Sequence, residues 1–149
     1  MRSAILGLML VSAAATPAQA ERFAISCKGK TQVGIGPAAG PLAGGEIDDK
    51  LIFVIDEDAK TVGSYDKKKR TLDDQCMAIV TCERSFSAER ITIRANHSKD
   101  GSTTNLWFDW DRGTGKLDTG FEFHLTNGNV MVSRSTMKCV PAPMPALSA

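Results

Sequence analysis

The chain has 149 residues, 42% of them hydrophobic and 6% aromatic, with 18 Lys+Arg against 17 Asp+Glu. That length holds one domain with one core, not two. A formal net charge of +1 gives little long-range attraction for nucleic acid or an anionic membrane, so neither is expected as a partner.

Residues 1–20 read as a signal peptide. Arg2 supplies a short positive n-region, Ala4 to Ala15 form an apolar run, and Ala18-Gln19-Ala20 is the small-x-small pattern a signal peptidase needs. The apolar run is too short to span a bilayer, and no other segment approaches about 18 consecutive apolar residues. The expectation is therefore a cleaved, soluble, periplasmic or secreted protein without membrane insertion. Cleavage after Ala20 removes 20 of the 149 residues and leaves 129, carrying 17 Lys+Arg against 17 Asp+Glu.

The apolar residues of the remainder recur with period two, the strand signature. Phe23, Ile25 and Cys27 alternate with Arg22, Ala24 and Ser26. Gly34 to Gly45, with Pro37 and Pro41, reads as a loop. Leu51, Phe53 and Ile55 alternate with Ile52 and Val54, Asp56–Lys60 is a turn, and Thr61–Tyr65 returns. Lys67-Lys68-Lys69-Arg70, flanked by Asp66 and Asp73-Asp74, reads as a solvated basic loop. Thr71–Gln75 is either one helical turn or the lead into Cys76, and Met77–Val80 suggests a short strand ending near Cys82.

Beyond Cys82 the pattern sharpens. Ile91, Ile93 and Ala95 form one apolar face, and Ser98-Lys99-Asp100-Gly101 carries the Asp-Gly pair of a hairpin turn. Leu106, Phe108 and Trp110 form the next face, Asp111–Gly115 turns the chain, and Phe121, Phe123 and Leu125 follow. Asn127-Gly128 is a second hairpin signal, after which Val130–Lys138 returns toward Cys139. Pro141, Pro143 and Pro145 predict a disordered tail over 141–149, leaving a single β domain at 21–140. The fold expected is an all-β antiparallel meander of about eight strands, closed or partly closed into a small barrel so that exposed edges are removed.

Four cysteines permit three pairings. Cys76–Cys82 as a short local loop, with Cys27–Cys139 joining the first and last strands, suits barrel closure. The spacing lacks Cys-x-x-Cys and a His-x-x-x-His partner, which argues against a metal or redox centre. No cofactor is expected.

Catalysis finds little support. His97 lies beside a turn and His124 on the polar face of a strand, with no Gly-x-Ser-x-Gly and no free thiol to activate. Asp56-Glu57-Asp58 and Asp109-x-Asp111 resemble fragments of calcium loops but lack the later glycine and glutamate. Asp109, Asp111 and Arg112 read instead as a surface salt bridge. Gly34-Ile35-Gly36 after a strand resembles a dinucleotide loop, yet Pro41, Gly44 and Gly45 forbid the helix that must follow. Asn96-His97-Ser98 is a formal glycosylation sequon. Trp107 points opposite to Phe108 and is the candidate contact for a protein partner.

Phe23-x-x-x-Cys27-x-Gly29, Cys76 and Cys82, Ile91-Thr92-Ile93, Asp111-Arg112-x-Thr114-Gly115-x-Leu117 and Cys139 together resemble a group of small exported β-proteins common among alphaproteobacteria. That resemblance implies location and fold and carries no activity. At the level of fold the chain is also similar to periplasmic lysozyme inhibitors, which are small, exported, all-β and disulfide-linked. The function expected is a non-enzymatic binding or envelope-protective module contacting a protein partner. The alternative is a small-ligand carrier of lipocalin-like type. Neither the partner nor an oligomeric state can be read from the residues.

Overall fold

A computed structural model of the chain describes residues 22–38, 40–76 and 81–148. The expected signal peptide and the Met77–Val80 segment lie outside them. Nine strands form: β1 (Arg22–Pro37), β2 (Ala43–Asp56), β3 (Thr61–Asp66), β4 (Thr71–Asp74) and β5 (Thr81–Phe86). Then come β6 (Arg90–Lys99), β7 (Ser102–Asp111), β8 (Lys116–His124) and β9 (Asn129–Ala142). All pair antiparallel in one sheet, in the order β4-β3-β2-β1-β9-β8-β7-β6-β5.

Each hairpin follows from its turn chemistry. Asp100 (φ 51°) and Gly101 (φ 79°) sit between the paired Lys99 and Ser102, the two positive-φ residues that a tight hairpin demands. Gly128 (φ 80°) donates to the Leu125 carbonyl at 3.1 Å and ends the β8–β9 loop. Between β7 and β8 the Asp111 carboxylate accepts from the Thr114 amide at 2.7 Å. Arg112 does not join the expected cluster with Asp109 and Asp111. It pairs with Glu57, while Asp109 takes Arg90 at 2.8 Å and Arg94 at 3.1 Å.

The sheet curls into a half-barrel. Its concave face collects Ile25, Cys27, Phe53, Ile55, Val62, Ile91, Ile93, Phe108, Leu117, Met137 and Cys139 into one core. Phe53 of β2 meets Phe108 of β7 edge-on at 5.2 Å, although three strands separate them in the sheet. Only strong curvature brings them together. The first and last strands are neighbours: β1 pairs with β9 from Ala24↔Ala142 to Pro37↔Asn129, and Cys27 stands directly opposite Cys139. The Cys139 amide donates away from β1, to the Gly115 carbonyl at 2.7 Å. The disulfide Cys27–Cys139 therefore bridges a non-hydrogen-bonded pair, where opposed strands approach most closely; their Cα atoms are 4.0 Å apart.

The two edges of the sheet, β4 and β5, are tied by the Cys76–Cys82 disulfide. Arg84 reinforces the tie from β5, 3.7 Å from the Asp74 carboxylate of β4. Both expected disulfides are present.

Three segments differ from the sequence-based expectation. Thr71–Asp74, expected as one helical turn or the lead into Cys76, is a strand. The expected loop Gly34–Gly45 is mostly ladder, with Gly34 paired to Gly44 and Ile35 to Ala43. Glycine here serves close approach: a Cβ on Gly44 would stand 1.9 Å from the Val33 carbonyl oxygen, and one on Gly34 would stand 2.9 Å from Leu42 Cβ. Finally, β9 continues through Pro141, which pairs with Ile25. The β8 ladder ends at Lys116↔Lys138, so the missing proline N–H falls where no neighbouring strand needs it. Past Ala142 the chain lies against β3 and β4: Tyr65 Oη donates to the Ala146 carbonyl at 2.9 Å, and the Ser148 amide to that of Arg70 at 2.9 Å.

Candidate functional site

Residue parity divides the concave face into layers. At one end Arg112 lies over the rings of Phe23 and Trp110, at 6.0 Å and 5.8 Å from their centroids, and pairs with Glu57. That end is plugged, and the dry core fills the middle. Above it a row of hydroxyls crosses three strands: Thr119, Ser135 and Thr31, in register and each buried. Burying a hydroxyl is costly without a partner, and each has one. Thr119 donates to the Trp107 carbonyl at 2.9 Å, Thr31 and Ser135 share a bond of 2.7 Å, and Thr31 reaches the Asp49 carboxylate at 3.2 Å.

Beyond this row the concave face opens. Val33, Ile35, Ala43, Phe121 and Met131 line a trough of about 380 Å³. Ile47 stands beside it, next to Thr31 in the ladder. Ile47 is 53% exposed, Ile35 48%, Met131 40%, Val33 39% and Phe121 37%. These residues continue the alternation that builds the core, but no further strand or loop of the described residues covers them. The glycine-rich ends of β1 and β2 form one wall, and β8 and β9 the other. Among the described residues, Lys30, Asp66, Asp111 and Glu122 have clearly shifted acidity. None of them lines the trough.

Trp107 lies on the opposite, convex face, as the alternation with Phe108 predicts. Its indole is already engaged there. The N–H donates to Asp118, Arg134 lies 5.9 Å above the ring, and the ring packs where a Cβ on Gly120 would come within 2.7 Å. Arg134 in turn pairs with Glu122. That bond chiefly holds the Glu122 carboxyl below the usual glutamate range. These contacts account for Trp107 within the fold, whereas Val33, Ile35, Ile47, Phe121 and Met131 lie on the other face.

The histidines stay apart. His124 Nε2 lies 3.5 Å from Glu122 on the convex side. His97 is half-buried near the mouth on β6. Among the described residues no serine or threonine hydroxyl is hydrogen-bonded to either, and no cluster of His, Cys, Asp or Glu is arranged to hold a metal. Trp110 belongs to the plugged end, 7% exposed. The alternation of Val33 and Ile35, and the placement of Phe121 and Met131, put them on the core face but do not show where the core stops.

No protein-family model matches the chain, and no curated protein or solved structure matches it significantly.

Proposed function

We propose that the protein is an exported, non-enzymatic binding module that presents the open trough at the mouth of its half-barrel to an apolar segment of a protein partner in the cell envelope. The observation that carries this reading is the set of five exposed apolar side chains, Val33, Ile35, Ile47, Phe121 and Met131. They share the concave face with the core yet have no cover among the described residues. Contiguous exposed apolar surface of this kind marks an interaction site.

The shape favours a protein over a free small ligand. A carrier buries most of its ligand's surface in an enclosed pocket. Here the core is filled by Phe53 and Phe108, and the trough stands open above the hydroxyl row. Export is supported by the leader pattern of residues 1–20 and by two disulfides, which persist in oxidising compartments. No helix of the described residues is long and apolar enough to cross a membrane. The resemblance to exported β-proteins and the lysozyme-inhibitor analogy agree with this reading.

A photo-cross-linking residue at Ile35, with a second at the convex-face Thr92 as control, tests it in intact envelopes. Adducts to one discrete protein through position 35, absent through position 92, are expected. Adducts confined to lipid would favour the carrier, and equal labelling from both positions would contradict a trough-centred site.

A further inference from the structure

The convex face carries a feature that net charge conceals. Lys116 pairs with Lys138, Lys138 with Lys28, and Lys28 with Lys50. Four lysines thus stand directly opposite one another across β8, β9, β1 and β2, all exposed on the same face. Neighbouring strands lie about 4.8 Å apart, so the row is single file with closely spaced charge.

Like charges directly opposite in a sheet are destabilising, and ordinary surfaces relieve them with acids. The flanking row does so: Lys30 reaches Asp48 at 2.9 Å and Glu46 at 3.5 Å. Among the described residues, none of Lys28, Lys50, Lys116 and Lys138 makes an ion pair. Lys138 instead donates to the Thr114 carbonyl. An uncompensated row in the middle of the sheet is a local conflict that folding does not require.

We propose that this lysine row is a binding track for a linear polyanion bearing phosphate or sulfate groups. Two features favour a chain over an anionic membrane plane. The sheet curls along the row, so a plane cannot meet all four strands as a flexible chain can. Asp118 and Asp48 lie one row to the side, where they would repel a broad anionic surface but leave a single-file ligand room. A nucleic acid is disfavoured because the row offers no aromatic on which bases stack. The near-zero net charge therefore sets weak distant attraction, while the local row sets contact.

Titration of the mature, disulfide-intact protein with inorganic polyphosphate and, separately, dextran sulfate tests this and distinguishes the two anions. Binding to at least one is expected, weakening as salt rises with a log–log slope of about −3 for four contacts. Replacing Lys28, Lys50, Lys116 and Lys138 by Gln should weaken it about tenfold or more. Replacing Lys30, Lys60, Lys68 and Lys99 by Gln should not. The row variant should also melt at or above the parent temperature, because a repulsion is removed, so lost binding cannot be ascribed to unfolding. Equal loss in both quadruple variants, absence of binding at low salt, or binding to phosphatidylglycerol vesicles with none to either polymer would overturn the proposal.

Discussion

Trp107 and Gly120 are opposed across the β7–β8 ladder, and the large side chain occupies the space the small one leaves. A methyl group on Gly120 would stand 2.1 Å from the Ser133 carbonyl oxygen and 2.7 Å from Trp107 Cζ2. Backbone cannot yield as a flexible side chain does. Gly120→Ala is therefore predicted to cost about 1–3 kcal/mol, read as a lower urea midpoint at unchanged slope. The neighbouring Glu122 gives a pH signature. Its carboxyl is held below its ordinary value by the Arg134 bond, so it stabilises the fold above the unfolded-state value and loses this as pH falls through the folded one. Glu122→Gln should be less stable than the parent at neutral pH and converge with it in acid; parallel stability curves would deny the coupling. That Trp107 faces away from Phe108 is legible from alternation alone. Its clamp is not, because Gly120, Asp118 and Arg134 meet it only through a cross-strand register that the sequence does not display.

At the scale of elements, the two disulfides do different work. Cys27–Cys139 closes a separation of 112 residues and Cys76–Cys82 one of 6. In the chain-entropy account these are worth about 5 and about 2 kcal/mol before strain. The Cys27/Cys139→Ala pair should thus lose more stability in denaturant than the Cys76/Cys82→Ala pair. The short link has a local task, since β4 and β5 are the sheet's two edges and Arg84–Asp74 is the ion pair that spans them. Its removal should speed amide exchange in Thr81–Phe86 while β1 and β9 stay protected. The reverse pattern would place the seam elsewhere. Of the three pairings the sequence permits, the observed one is that which suits first and last strands lying side by side. The glycine-rich ends of β1 and β2 resemble a loop in sequence because Gly and Pro usually punctuate, whereas Gly34 and Gly44 here admit a neighbouring backbone or Leu42.

Across the whole molecule, one face holds a core that runs out into an open trough, and the other holds charge sorted into rows. The all-β class and the opposition of first and last strands were legible, because period two and turn chemistry are local signals. The trough was not, since it depends on which apolar positions lie beyond the end of the core. Nor was the lysine row, because Lys28, Lys50, Lys116 and Lys138 are far apart in the chain and only register aligns them.

The claim that the trough is the recognition surface is tested most directly by methyl NMR. Protein labelled at Ile and Met methyls and at the tryptophan indoles would be titrated with the partner captured through position 35. The account predicts shifts or broadening at Ile35, Ile47 and Met131, with the Trp107 indole unmoved. Perturbation centred on Trp107, with the three trough residues unchanged, would contradict it.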